Sequence, residues 1–108
     1  MKVILIDDEP NSSRNLERKL MMVCPQVDVI ASCTTVAESV AAIYKYQPNL
    51  VFLDMELGAE EGFEVLDKTS DLSFETIVVT MHSTYAEQAF DYNVSHFLTK
   101  PVRKEKLK

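Results

Sequence analysis

The stretch Leu50–Gly62, LVFLDMELGAEEG, is the part of the chain whose reading decides the fold. Its first four residues are apolar with no polar alternation, the pattern of a strand covered on both faces, as in a parallel sheet. The run stops at Asp54, and both glycines of the chain, Gly58 and Gly62, follow within eight residues. Working outward, similar β-branched runs recur. The candidate strands, β1 to β5 in order, are Lys2–Ile6 (KVILI), Val27–Ala31 (VDVIA), Leu50–Leu53, Thr76–Val79 (TIVV) and a weaker His96–Leu98 (HFL). Between them lie segments with helical spacing. Candidate α1 starts at Pro10, a residue suited to a first helical position, and runs to about Val23 with Leu16, Leu20 and Val23 on one stripe. Candidate α2 covers about Val36 to Tyr46, and a shorter α3 follows Gly62 through Val65 and Leu66. Candidate α4 runs to about Tyr92. Thr35 with Glu38, and Thr84 with Glu87, have capping-box spacing at the starts of α2 and α4. A final α5 is only begun, over Val102 to Lys108, so the last helix reads as truncated and the chain as a fragment. Strands alternating with helices specify an α/β domain around a parallel sheet.

The chain's 108 residues allow one domain, 1–108. With 46% hydrophobic residues it can bury a real core, which excludes a disordered tail. Seventeen acidic side chains against eleven basic ones leave a net charge of −6, and five of the bases crowd into the last nine residues. A negative surface is a poor match for phosphate backbones, so this segment is not expected to bind nucleic acid directly. No apolar run approaches a membrane span, and a cytoplasmic location is expected. Cys24 and Cys33 lack metal-ligand spacing and read as reduced thiols. A dinucleotide fingerprint or a P-loop would place glycines after the first strand. Asp7, Asp8 and Glu9 stand there instead, so the site begins by attracting a cation.

In open parallel α/β sheets ligands bind outside the carboxyl ends of the strands. Asp7 and Asp8 follow β1, Asp54 follows β3, Thr80 follows β4, and Lys100 with Pro101 follows β5, all at one edge. Carboxylates are hard ligands for Mg²⁺, which accepts a few of them with waters and phosphate oxygens. Clustered without a cation they repel, which requires a raised pKa or a bound ion. A carboxylate can also attack phosphorus when a metal and a positive side chain offset the charge of the transferring oxygens. Asp54, Mg²⁺ and Lys100 are candidates for those parts, with Thr80 as a hydroxyl for a phosphoryl oxygen. Singly, each residue reads better as a helix cap, a core-edge threonine or a solvated charge. Their convergence favours the functional reading.

Taken together, IDDEP (Asp7, Asp8), VFLDMELGAEEG (Asp54, Gly62), VVT (Thr80) and FLTKP (Lys100, Pro101) resemble the receiver domain of bacterial two-component response regulators over nearly the whole chain. The resemblance implies a flavodoxin-like (βα)5 three-layer sandwich with strand order 2-1-3-4-5. It implies Asp54 as phospho-acceptor, Asp7 and Asp8 as the metal-binding acids, and the backbone carbonyl of Glu56 as a further metal ligand. Lys100 would contact the phosphoryl group, Thr80 and Phe97 would act as switch residues, and Pro101 would follow a cis peptide bond. A sensor histidine kinase is the implied donor and Mg²⁺ the cofactor. The implied output is a changed α4-β5-α5 face that controls homodimerisation. The stretch STYAEQAFDYNVSHFLTKPV, and LGAEEG where many receivers carry a proline, resemble receivers that precede a LytTR-type DNA-binding domain, so an effector beyond residue 108 is expected.

Some residues depart from the pattern. Met81 is larger than the usual small residue there and is expected to narrow the approach to Asp54. Phe97 lacks a phenolic hydroxyl, so its switching rests on packing. His82 and Glu56 are placed to tune phosphate lifetime, with an exposed loop histidine as the equal alternative for His82. His96 reads as structural. Glu56, Glu60, Glu61 and Glu64 read as a solvated acidic face in preference to a second metal site. Two rival readings belong to other classes. A phosphatase of the haloacid-dehalogenase type needs an Asp two residues after its nucleophile, where Glu56 stands. A pseudo-receiver acting as an unphosphorylated interaction module keeps the fold, but the set Asp8, Asp54, Thr80 and Lys100 argues against it. The expectation is a phosphoryl acceptor with at most slow self-dephosphorylation, not a turnover enzyme.

Overall fold

A computed structural model describes residues 1–102 and 107. A five-stranded parallel sheet runs through the molecule. Its strands are β1 (Lys2–Ile6), β2 (Asp28–Cys33), β3 (Leu50–Leu53), β4 (Glu75–Thr80) and β5 (His96–Thr99), in spatial order 2-1-3-4-5. A small antiparallel hairpin, Glu56–Leu57 paired with Glu60–Glu61, stands apart. The helices are α1 (Pro10–Val23), α2 (Val36–Tyr46), α3 (Phe63–Lys68) and α4 (Ala86–Asp91). The expected last helix lies outside the described residues, apart from Val102 and Leu107.

Side-chain alternation along the strands builds a core on each face of the sheet. Ile4, Ile6, Val51, Leu53 and Val78 point to one side, where α2, α3 and α4 bring Val36, Ile43, Val65 and Ala89. Val3, Leu5, Phe52 and Val79 point to the other, where α1 supplies Leu20 and the chain end supplies Val102. This is why β1 and β3 show no polar alternation: both faces are covered.

The strand boundaries shift where pairing, not hydrophobicity, decides them. β2 begins and ends later than its apolar run because it pairs with β1 up to Ile6 opposite Cys33, which draws Ser32 and Cys33 into the ladder. β5 likewise extends to Thr99, opposite Thr80. Pro10 occupies the first turn of α1 as its ring geometry suits. At α2 the Thr35 hydroxyl accepts the Glu38 N–H at 3.1 Å, while the Glu38 carboxylate reaches back to the Thr34 N–H at 2.7 Å. The corresponding box at Thr84 does not form. Thr84 lies inside a 3₁₀ turn, Ser83–Tyr85, and α4 starts after Tyr85 with no side-chain cap. Thr84 therefore lacks the extended backbone a capping residue needs.

Candidate functional site

The carboxyl edge of the sheet is where the polar residues gather, and the ladder itself aims them. The Asp7 N–H donates to the Cys33 carbonyl at 3.0 Å, the Asp54 N–H to the Ile6 carbonyl at 2.9 Å, and the Lys100 N–H to the Thr80 carbonyl at 2.8 Å. Each residue thus continues its strand's hydrogen bonding by one step, and only its side chain leaves the sheet.

Asp7 and Asp54 are buried and are held alike. One oxygen of each accepts the backbone N–H two residues on, Glu9 at 2.9 Å for Asp7 and Glu56 at 3.0 Å for Asp54, which are local side-chain turns. The other oxygen of each accepts from the Lys100 Nζ, at 2.7 Å and 2.8 Å. Burial pushes the Asp7 carboxyl above its ordinary value, opposed by its bonds to Lys100 and the Glu9 N–H and assisted by the Asp54 charge. Burial pulls the Lys100 ammonium down, but its bonds to Asp54 and Asp7 outweigh that and leave it above the ordinary value. A lysine fixed between two acids answers the repulsion between them. The Lys100–Pro101 bond is cis.

Asp8 is exposed, and its Oδ2 accepts the Gly58 N–H of the hairpin at 3.1 Å. Carboxylate oxygens of Asp7, Asp8 and Asp54 lie within 4.8 Å of one another, the single such group among the described residues. Three convergent hard oxygen donors, partly buried and short of a complete cage, fit a small divalent cation that keeps some of its waters.

Thr80 ends β4 fully buried, and its hydroxyl accepts the His82 N–H at a long 3.5 Å. Phe97, on β5 opposite Val78, is half-buried against the α2–α4 side of the core. Across the mouth of the site the His82 Nε2 lies 3.2 Å from the Glu56 Oε1, linking the loops after β3 and β4. Met81 is 70% exposed and lines a cleft of about 310 Å³ beside α1, together with Asp7, Ser13 and Lys100. Gly62 is required because a Cβ there would collide with the Asp54 carbonyl oxygen. The structure therefore brings Asp7, Asp8, Asp54, Lys100, Thr80, Glu56 and His82 to one edge, sets Met81 at its α1 side, and leaves Phe97 in the packing behind it.

The family model for the response regulator receiver domain matches residues 3–108. The chain belongs to the receiver domain family. The receiver is 34% identical over 109 residues to the sensory transduction protein LytT of Enterococcus faecalis, spanning 99% of this chain and 45% of that protein. It is 28% identical over 108 residues to the transcriptional regulatory protein BtsR of Escherichia coli K12, with 99% and 45% covered. The receiver thus spans about half the length of the curated relatives it matches. In fold it is similar to the response regulatory domain of mrkE from Klebsiella pneumoniae, at TM-score 0.89 and 18% identity over 99% of this chain and 88% of that one. Among the described residues of the receiver no helix is long and apolar enough to cross a membrane.

The hairpin and its contact to Asp8 leave little trace in the sequence. Its one signal is a glycine placed between two short arms: Gly58, at φ 64°, opens the two-residue loop Gly58–Ala59, a position that favours glycine. The solvated acidic face expected of Glu56, Glu60, Glu61 and Glu64 is correct for Glu61 and Glu64, both exposed. Glu56 is partly exposed and also faces His82, and the partly exposed Glu60 carboxylate accepts the Val36 N–H at the start of α2.

Proposed function

We propose that this receiver takes a phosphoryl group onto Asp54 from the phosphohistidine of a sensor histidine kinase. The observation that carries the reading is the Lys100 Nζ held between Asp7 and Asp54, beside a third carboxylate from Asp8. Nothing in a structural role requires two buried acids and a lysine to meet at the ligand-binding edge of a parallel sheet.

An Asp54 oxygen attacks phosphorus, a P–O bond forms, the P–N bond breaks, and the imidazole nitrogen leaves with its electron pair. Asp7, Asp8 and Asp54, with the Glu56 backbone carbonyl, would hold Mg²⁺, whose charge offsets that of the phosphoryl oxygens. Lys100 adds a second positive charge on the same side. The Thr80 hydroxyl, which has only a long contact to hold it, turns toward the phosphoryl oxygen. Phe97 repacks behind it, and the α4-β5-α5 face changes through differential contacts in the two states. That face pairs two copies and signals to an effector outside this segment, a DNA-binding domain of the LytTR type. The receiver works in the cytoplasm, without direct contact to nucleic acid or membrane. It is not a turnover enzyme; Asp54 phosphate is lost by slow self-hydrolysis whose rate Glu56 and His82 tune, and Met81 slows entry of small donors.

Intact mass measured after incubation with a phosphorylated histidine kinase or with acetyl phosphate, each with Mg²⁺, tests this. The wild-type chain is expected to gain one phosphoryl group and Asp54→Asn none. A gain that survives Asp54→Asn, or no gain with any competent kinase, overturns the reading in favour of an unphosphorylated interaction module.

A further inference from the structure

The hairpin after Asp54 is too short to stand by itself. Each arm has two residues, and even a longer isolated ribbon is marginal in water. Its pairing sets Glu56 opposite Glu61, and like charges directly opposite weaken a ladder further. External contacts must hold it. Leu57 is buried in the core, and at the base the Gly62 N–H donates to the Met55 carbonyl at 2.7 Å. The far arm is fastened by Glu60, whose Oε1 accepts the Val36 N–H at 3.2 Å on the first residue of α2. That amide is one of the donors a helix start leaves without an intrahelical partner, so the bond satisfies it while tying the hairpin down.

At the tip, the Gly58 N–H holds the Asp8 Oδ2 at 3.1 Å. This matters because the three carboxylates are not equally restrained. Asp7 and Asp54 are each held by two hydrogen bonds, one of them from Lys100. Asp8 is exposed, and Lys100 does not reach it. An exposed aspartate free to rotate must be ordered when a cation binds, and a partner that orders it beforehand raises affinity.

We infer that Glu60 is a positioning residue for the cation site: by fastening the hairpin to the first turn of α2 it keeps the Gly58 N–H on Asp8, and so keeps that carboxylate facing Asp7 and Asp54. Glu60 is not itself a ligand; it acts two links away, through a backbone amide. The inference rests on the reading of Asp7, Asp8 and Asp54 as a Mg²⁺ site.

Reach and charge separate this role from simple attraction of Mg²⁺ by a nearby acid. Glu60→Asp keeps the charge and withdraws the oxygen by one methylene; Glu60→Gln removes the charge and keeps an acceptor oxygen in place. The test is a Mg²⁺ titration of the chain followed by backbone amide NMR shifts, in wild type, both Glu60 variants and Asp8→Asn. Glu60→Asp is expected to weaken Mg²⁺ by about tenfold, the low end for outer partners of metal ligands, and to move the Gly58 and Val36 amide resonances before any Mg²⁺ is added. Glu60→Gln is expected to bind close to wild type. If Glu60→Gln weakens binding more than Glu60→Asp, and added salt removes the difference, Glu60 acts by charge alone and the inference is overturned. It is equally overturned if both variants bind as wild type. If wild type shows no saturable Mg²⁺ shifts and Asp8→Asn matches it, the cation reading itself fails, and the positioning role with it.

Discussion

Helices α2 and α4 cover the same face of the sheet, yet they are held very differently. The eleven residues of α2 bury Val36, Ser39 and Ile43. The first turn of α2 is closed by Thr35, Glu38 and Glu60, and Gln47 ends the helix in the left-handed region at φ 47°. The Tyr44 hydroxyl also meets the Asp71 carboxylate and the Lys68 carbonyl across the gap to the neighbouring loop. The six residues of α4 bury Ala89 alone and have no side-chain cap. Phe90 stands 84% exposed, and the aromatic contact at this end comes from Tyr92, just beyond the helix, stacked on Phe63 at 4.6 Å. The difference teaches where stability and mobility are assigned. A helix with full caps and a buried stripe moves only with the whole fold, whereas a short, uncapped one opens at the low end of the stability range. α4 begins six residues after Thr80, so the loosely held helix is also the one next to the proposed switch hydroxyl.

The largest effect should come from emptying the face of α2. Ile43→Ala is expected to cost about 3 kcal/mol for a fully buried side chain, while Phe90→Ala on α4 stays within about 0.5 kcal/mol, by urea denaturation of both. Equal losses would erase the contrast between the helices.

A smaller effect concerns the thiol beneath the first turn of α2. Burial, then the Glu38 charge, pushes Cys33 up from 9.0 to about 11, against a lowering influence of the nearby Ser39 hydroxyl. The folded state keeps the proton that the unfolded chain releases. Stability from this group is therefore fully present below pH 9 and is lost as pH rises toward about 11. Comparing the pH dependence of urea midpoints for wild type and Cys33→Ala isolates it: the wild type should fall more steeply over that window. Parallel curves would mean that α2 does not seal the thiol.

The finest comparison is between the two threonines with capping-box spacing. Thr35→Ala should cost about 1 kcal/mol and Thr84→Ala no more than about 0.5 kcal/mol, because only Thr35 holds an N–H. A matching loss at Thr84 would show that α4 is capped in solution after all.

Local pattern carried far in this chain. Unbroken apolar runs at Val3–Ile6 and Leu50–Leu53 mark central strands, Pro10 and the Thr35–Glu38 pair mark helix starts, and the side chains just past each strand end mark the site. These signals are legible because each depends on neighbours a few residues away. The Thr84–Glu87 spacing misled because it is necessary for a box but does not supply the extended backbone the cap requires. The acidic run after Asp54 reads as a solvated face, but charge alone does not reveal that the Glu60 carboxylate finds a backbone N–H.

What the sequence by itself determined is the alternation of elements, the two-sided burial of the sheet, and the identity of the polar residues at its carboxyl edge, since periodicity and strand ends are local properties. What only the tertiary structure decided is who holds whom: Lys100 between Asp7 and Asp54, His82 against Glu56, Glu60 on α2, and Gly58 on Asp8. Those partners lie 24 to 93 residues apart, and their meeting depends on crossover connections and sheet register, which no local pattern encodes.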